Sequence, residues 1–229
     1  MSNFDTRESM KIYEEKLEKI IAQANEDYAN NYEYDIFDCD AFCKLFADIR
    51  GIELFHGATK GVISINGEDD VIFKCPFGKM TKINCCGSEE NVDFTYDYCE
   101  LEWKNYIKSR NEFVNIFFAE VRYLKTYVIG NIVLDFYIQE KARSFEMYGS
   151  SGEWDDQTLN SASDWISKAY NLYDVAVDWV ADFLAYYSEE DFANLDDFLC
   201  DHDINDIHDG NIGYVGDRPV IFDYSGYYD

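Results

Sequence analysis

The chain has 229 residues, of which 47% are hydrophobic and 17% aromatic, enough for a packed core in one two-lobed domain or two small ones. Its 46 acidic and 19 basic side chains give a net charge of −27, which repels nucleic acid and argues against direct DNA or RNA binding. The sequence shows no signal peptide and no apolar run of the roughly 20 residues that a membrane helix needs, so we expect a cytoplasmic protein that does not enter a membrane.

The negative charge is concentrated toward the C-terminus. Residues 153–229 contain 19 acidic side chains but only Lys168 and Arg218 as basic ones. Two explanations remain open: a highly soluble surface, or a surface that attracts cations or a basic partner.

The seven cysteines do not predict a disulfide framework, because their number is odd and Cys85 and Cys86 are adjacent. Zinc ligands are available in Cys39, Cys43, Cys85 and Cys86. However, the chain has no C-x-x-C pair, and none of its three histidines is near these cysteines in the sequence. We therefore predict no zinc site.

The N-terminal 50 residues predict two helices. Apolar residues from Met10 to Ala24 form one helical stripe, typical of a helix that packs on its own domain, although binding of a partner is the alternative. Residues 25–35 are polar and rich in tyrosine. A second, shorter helix is predicted from Asp40 to Ile49.

A hairpin turn and a strand with a lysine follow. The turn, between strands that begin near Ile52 and Val62, reads His56-Gly57-Ala58-Thr59-Lys60-Gly61. Exposed backbone amides, glycine and a nearby lysine can cover the phosphates of a nucleotide, but two glycines also occur in ordinary hairpins. The next strand, 71–77, contains Lys74, which a solvated edge position would also explain.

The middle of the chain predicts a helix over 93–109 and two strands, 124–129 and 132–138, joined by Gly130-Asn131. A flexible exit is predicted at 148–152, followed by helices over 158–170 and 173–187 and a short helix after Ser188. Asp174, Asp178 and Asp182 recur every four residues, which resembles a cation site. Like charges at this spacing cost only tenths of a kcal/mol on a wet surface, so we interpret the row as a solvated face.

The densest pattern is Asp206-Ile207-His208-Asp209-Gly210-Asn211, followed by Asp223. Apolar runs at 212–214 and 219–222 flank a Gly-Asp turn and predict a hairpin. Asn211 and Asp223 then lie at opposite ends of one two-stranded ribbon, close enough to share an ion. A kinase-type site assembles a proton acceptor and two metal ligands in this order. Carboxylates gathered at about 4 Å repel each other by about 4 kcal/mol at an effective dielectric of 20, which favours a divalent cation.

Two sequence motifs in this region resemble those of the protein-kinase-like superfamily. They are Asp-Ile-His-Asp-Gly-Asn-Ile-Gly-Tyr and Arg-Pro-Val-Ile-Phe-Asp-Tyr-Ser-Gly. Both are most similar to those of small kinase-like proteins encoded by bacteriophages, and aminoglycoside phosphotransferases share the histidine two places after the catalytic aspartate. The resemblance implies an α+β, two-lobed protein-kinase-like fold that is truncated after the Asp-Tyr-Ser-Gly metal motif. Its parts would be an N-terminal helical extension (1–50), an N-lobe ending in a hinge (51–142) and a minimal helical C-lobe (143–229).

The resemblance also implies a site for ATP and Mg²⁺. Asp206 would be the catalytic base, His208 would help to neutralise the transferred phosphoryl group, and Asn211 and Asp223 would hold Mg²⁺. Lys74 would orient the phosphates and pair with a carboxylate of the next helix, Glu102 in preference to Glu100. The other nucleotide-binding residues implied are Gly57, Ala58, Thr59, Lys60 and Gly61 in the turn, and Glu140 and Ala142, whose backbone would read adenine at the hinge.

Two departures from the family pattern affect the expected activity. Ile204-Asn205 precede Asp206 in place of His-Arg, and the sequence has only three residues after Gly226, so no activation segment is expected. A substrate wall would then come from residues 1–50 or from a second molecule.

Three functions stay open from the sequence. The first is a phage-type phosphotransferase acting on a basic host protein or a cationic small molecule, against a host defence in the bacterial cytoplasm. The second is a catalytically inactive kinase-like binding protein that uses the nucleotide as a structural element. The third is an acidic mimic of nucleic acid that inhibits a host defence enzyme.

Overall fold

The structure is a computed structural model that describes residues 7–31, 37–83, 89–93, 96–150, 152–169, 172 and 174–226. It is of the α+β class, as the sequence predicts. The elements in chain order are α1 (Arg7–Asn31), α2 (Cys39–Phe46), β1 (Ile52–His56), β2 (Lys60–Ile65), β3 (Val71–Pro76), β4 (Lys79–Ile83), β5 (Glu89–Asp93), α3 (Tyr98–Asn111), β6 (Val121–Ile129), β7 (Ile132–Glu140), β8 (Arg143–Ser144), α4 (Phe145–Tyr148), α5 (Asp156–Ile166), α6 (Val177–Tyr186), α7 (Glu189–Asp201), β9 (Ile212–Val215) and β10 (Arg218–Ile221).

The chain divides into two compact units. Unit 1 contains residues 1–100 and 122–139, and unit 2 contains residues 101–121 and 140–229. Within the residues described, no helix combines the length and the apolar composition that crossing a bilayer requires.

Unit 1 is built on a five-stranded sheet with the order β1-β2-β3-β7-β6. The first three strands are consecutive and antiparallel, with His56 opposite Gly61 and Val62 opposite Lys74. The central position of β3 depends on β7, which follows it by more than fifty residues. Strands β4 and β5 form a separate two-stranded ribbon.

The two N-terminal helices belong to the core of this sheet. Leu17, Phe42 and Phe46 are fully buried and lie in the same hydrophobic cluster as Phe73 and Phe136 of the strands. Helices α1 and α2, which belong to the segment expected as an extension, therefore share one core with the strands of unit 1. Burial of such side chains contributes about 1.5–3 kcal/mol each, which makes the helices essential to the unit.

Helix α1 is longer than the predicted 10–24 because its polar C-terminal part has partners. Asn25 donates from Nδ2 to the carbonyl of Val128 (3.2 Å) and accepts at Oδ1 from the amide of Gly130 (3.0 Å). Helix α3 begins later than predicted, because residues 89–93 form β5 and Asp97 caps the helix by accepting from the amide of Glu100 (2.8 Å).

Unit 2 packs its helices against a three-stranded sheet with the order β10-β9-β8. Its core is aromatic, with Trp179 and Phe183 of α6 fully buried. Helix α6 begins at Val177 rather than near Tyr173, which lies outside the described residues.

The interpretation of the acidic row as a wet face is wrong for Asp182, which is only 4% exposed. Its carboxylate accepts hydrogen bonds from the Tyr214 hydroxyl, from Ser150 Oγ (2.8 Å) and from Trp154 Nε1 (3.1 Å). A buried carboxylate needs such donors, because an unpaired buried charge is strongly destabilising.

Candidate active site

The turn that carries Asp206 has buried apolar side chains and exposed functional groups. Ile204 and Ile207 are buried on either side of Asp206. The side chains of Asp206 and His208 are 43% and 45% exposed. The chain therefore holds the turn by its apolar residues and presents its acid and its imidazole to solvent.

The side chain of Asn211 is oriented by the same turn. Its Nδ2 donates to the carbonyl oxygen of Asp206 at 2.6 Å, and only 9% of the residue is exposed. Because the amide nitrogen is directed at that carbonyl, the amide oxygen faces away from it. An oriented amide oxygen is a suitable ligand for a hard cation.

The predicted hairpin is confirmed, with β9 and β10 in antiparallel register and Ile212 opposite Ile221. The Asn211 carbonyl accepts from the amides of Phe222 (2.9 Å) and Asp223 (3.4 Å). Asn211 and Asp223 are therefore neighbours at the open end of the ribbon, rather than at its opposite ends. Ser225 Oγ lies 3.4 Å from Asp223 Oδ1.

Tyr224 fixes the backbone beside Asp223. Its carbonyl accepts from Asn105 Nδ2 (3.0 Å), its hydroxyl donates to the Ala119 carbonyl (2.7 Å), and its ring centroid lies 4.6 Å from that of Phe118. Tyr224 is 1% exposed. The segment after Asp223 is thus held by α3 and by the chain before β6.

Asn105 contacts the candidate site and was missed by the sequence analysis. A signal was present, because Glu102, Asn105 and Ser109 occupy spacings of three and four along α3 and all three are buried. Polar side chains at core spacing on a helix indicate hydrogen-bonded positions rather than a solvated face.

The ring of His208 is oriented by its own turn. Its Nδ1 accepts from the amide of Gly210 (3.1 Å), and its Nε2 lies 3.9 Å from Asp206 Oδ1. A Cβ on Gly210 would lie 2.8 Å from the imidazole. The close packing of Gly210 and the Nδ1 contact leave Nε2 as the ring nitrogen that faces Asp206.

Asp209 has a structural partner. It accepts from the amide of Ala176, the N-cap residue of α6, at 2.7 Å. A carboxylate at a helix N-terminus is stabilised by the helix dipole. This contact ties the turn to α6.

Glu140 forms an ion pair within unit 2. Its carboxylate lies 2.8 Å from Arg218 Nη2 and accepts from the amide of Glu120 (2.9 Å), and its own amide donates to the Glu120 carbonyl (2.9 Å). Arg218 also donates to the Phe118 carbonyl. The Glu140 side chain thus supports the hairpin, and adenine readout by the backbone of Glu140 and Ala142 stays a prediction.

Lys74 does not occupy the solvated edge position that was its simplest explanation. It lies on the central strand of unit 1 and is 3% exposed. Glu102, in unit 2, is fully buried, whereas Glu100 is half-buried. Burial requires a compensating partner for each of these charges, and the pairing of Lys74 with Glu102 stays a prediction.

The turn before β2 offers less free backbone than predicted. The amide of Gly57 donates to the Lys60 carbonyl (3.1 Å), and the Thr59 carbonyl accepts from Phe77 (2.8 Å). Thr59 and Lys60 are buried, whereas Gly57 and Ala58 are exposed. Of residues 57–61, Gly57 and Ala58 are therefore the exposed ones that a phosphate can approach, and the Gly57 amide is already donated within the turn.

Gly61 has a packing reason to be glycine. A Cβ there would lie 2.6 Å from the ring of Phe42, whereas one on Gly57 would meet nothing within 4 Å. The glycine at 61 therefore serves the contact between α2 and β2, and only Gly57 has open space that a ligand can approach.

Comparisons of the chain with protein-family models, with curated proteins and with solved structures found no match.

Proposed function

We propose that the protein is a minimal kinase-like phosphotransferase that binds Mg²⁺-ATP at the open end of the β9–β10 hairpin. One observation carries the proposal. The hairpin brings Asn211 and Asp223 together, and the Asn211 amide is bonded to the backbone of Asp206. A base and two oxygen ligands are thereby held on one rigid element.

The ligand atoms suit magnesium. The amide oxygen of Asn211 and the carboxylate of Asp223 are hard donors, and Mg²⁺ binds through one or two such groups together with substrate phosphates. When bound, Mg²⁺ would neutralise charge on the phosphates. The fixed Tyr224 backbone keeps Asp223 in position for this role.

Asp206 is the base of the proposed reaction. An acceptor hydroxyl attacks the γ-phosphorus, the bond from that phosphorus to the bridging oxygen of ADP breaks, and the hydroxyl proton passes to the Asp206 carboxylate. A positioned base of this kind contributes roughly 10²- to 10⁴-fold. The exposure of its side chain leaves it accessible to an acceptor.

The remaining nucleotide contacts are proposed from unit 1 and from the start of unit 2. The buried Lys74 would bind phosphate oxygens, with the turn around Gly57 and Ala58 covering them. The acidic C-terminal third favours a basic protein or a cationic small molecule as acceptor. The effect of Lys74→Met on ATP affinity measures whether both units act on the same nucleotide.

The test combines nucleotide binding with transfer. Wild type is expected to be stabilised in a thermal-shift assay by ATP with Mg²⁺ and to release or transfer labelled γ-phosphate. Asp206→Asn should keep the thermal shift and lose roughly 10²- to 10⁴-fold in transfer, whereas Asp223→Ala should lose the magnesium-dependent shift. Asp217→Asn, an exposed residue at the closed end of the same hairpin, is the matched control.

Two outcomes would change the conclusion. If ATP and Mg²⁺ do not stabilise wild type, nucleotide binding at this hairpin is wrong. If wild type shows the shift but transfers no phosphate, the protein binds nucleotide without catalysis.

A further inference from the structure

Two cysteines and a histidine meet in unit 1. The ligand atoms of Cys39, Cys43 and His56 all lie within 4.8 Å of one another. The cysteines are half-buried on the first turns of α2, and the exposed histidine ends β1. The sequence analysis predicted no zinc site because no histidine is near these cysteines along the chain, and the fold brings His56 to them.

A disulfide is a poor explanation for the cysteine pair. Residues four apart on a helix have Cβ atoms about 5–6 Å apart. A disulfide requires about 3.5–4.5 Å between Cβ atoms. Cys39 and Cys43 would have to unwind α2 to form one, whereas two thiolates at this spacing can share a metal ion without distortion.

The distances fit a tetrahedral zinc site. With Zn–S bonds of about 2.3 Å, two sulfur ligands of a tetrahedral ion lie about 3.8 Å apart. The ligand atoms lie within 4.8 Å of one another, which exceeds the sulfur–sulfur distance in such a site by about an ångström. Rotation of the side chains supplies this change. Thiolate and imidazole ligands select zinc or another soft ion over Mg²⁺ or Ca²⁺.

Two carboxylates flank the first cysteine in the sequence, Asp38 and Asp40. Asp38 is engaged as the N-cap of α2 and accepts from the amide of Ala41 (2.9 Å). Negative charge at this end of the helix attracts a dication.

We propose that Cys39, Cys43 and His56 bind one zinc ion that joins the start of α2 to the end of β1. Three protein ligands leave a fourth position for water, on the side where His56 is exposed. The ion adds a fixed link to the α2–β2 packing at Phe42 and so stabilises unit 1. The inference is independent of the proposed phosphotransferase activity.

The test measures zinc bound to the full chain. Purified protein treated with a chelator and then titrated with zinc should bind one ion, and X-ray absorption at the zinc edge should show two sulfur ligands at about 2.3 Å and a nitrogen at about 2.0 Å. His56→Gln and Cys43→Ser should each weaken zinc binding by at least about 100-fold, the upper end of the loss caused by an outer-shell partner. Cys200→Ser, an exposed cysteine in unit 2, is the control and should bind as wild type does.

Three results would overturn the site. The first is that wild type binds no stoichiometric zinc ion. The second is that X-ray absorption shows as many sulfur ligands in Cys43→Ser as in wild type. The third is that zinc binding survives His56→Gln and Cys43→Ser but is lost when Cys85 and Cys86 are replaced. Because His56 is exposed, His56→Gln is expected to fold, and its circular dichroism spectrum checks this.

Discussion

Replacing Asn105 by leucine tests whether α3 positions the segment that we propose to bind Mg²⁺. The two side chains have the same number of heavy atoms and the same branching at Cγ, so the substitution removes a hydrogen bond without creating a cavity. The Tyr224 carbonyl, on a residue that is 1% exposed, would lose its donor at 3.0 Å. An unsatisfied buried acceptor costs about 1–3 kcal/mol, and leucine recovers a few tenths of a kcal/mol of helix propensity.

The expected loss in unfolding free energy is therefore about 1–2.5 kcal/mol. For a chain of this size it corresponds to a fall in Tm of about 2–10 °C. The variant should also weaken magnesium-dependent ATP binding by about 10- to 100-fold, the usual effect of losing an outer-shell partner.

Tryptophan fluorescence during urea denaturation is the appropriate assay. All four tryptophans, Trp103, Trp154, Trp165 and Trp179, belong to unit 2, so this signal reports on that unit. Lys108→Ala is the matched control, because Lys108 contacts the Asn105 oxygen (3.3 Å) from the exposed side and should change stability by less than about 0.5 kcal/mol. Equal stability and equal magnesium dependence in Asn105→Leu and wild type would refute the reasoning.

Three further predictions address packing, ion pairing and pH. Gly213→Ala should destabilise unit 2 by about 3 kcal/mol or more in thermal denaturation, because its Cβ would lie 2.2 Å from the Arg143 carbonyl oxygen. Gly57→Ala is the control and should leave stability unchanged. An alanine at 213 that does not lower stability would be inconsistent with this packing. Arg218→Met should lower the unfolding free energy measured in urea by about 2–3 kcal/mol, since it leaves the largely buried carboxylate of Glu140 without its cation. A change below about 0.5 kcal/mol would mean that the ion pair adds nothing to stability. Burial raises the pKa of Asp97 from its ordinary value of 3.8, so the folded state holds this proton more tightly than the unfolded state. The unfolding free energy of wild type should therefore fall relative to that of Asp97→Asn as pH rises from about 4 through the raised pKa. A difference in unfolding free energy that does not change with pH would contradict this prediction.

The hairpin could be predicted because its signals are local. Short apolar runs flank Val215-Gly216-Asp217-Arg218, and Gly216 adopts a positive φ of 62° that glycine tolerates. The spacing of Asp206, Asn211 and Asp223 is likewise contained in eighteen consecutive residues. Neighbours on one short element are fixed by the geometry of that element.

Contacts between distant segments could not be predicted in this way. Asn105 and Tyr224 are separated by 119 positions, and their hydrogen bond depends on how α3 packs in unit 2. Proximity in sequence was also the wrong criterion for His56, because α2 and β1 bring it to Cys39 across an intervening loop. The burial of Lys74 follows from the pairing of β3 with β7, which no local pattern specifies.

The most direct test is an anomalous difference map from crystals grown with manganese and a non-hydrolysable ATP analogue. Our account predicts a manganese peak bonded to the amide oxygen of Asn211 and the carboxylate of Asp223, at about 2.1 Å, with the nucleotide phosphates on its other side. A peak bound elsewhere, or a nucleotide without contact to these two residues, would contradict it.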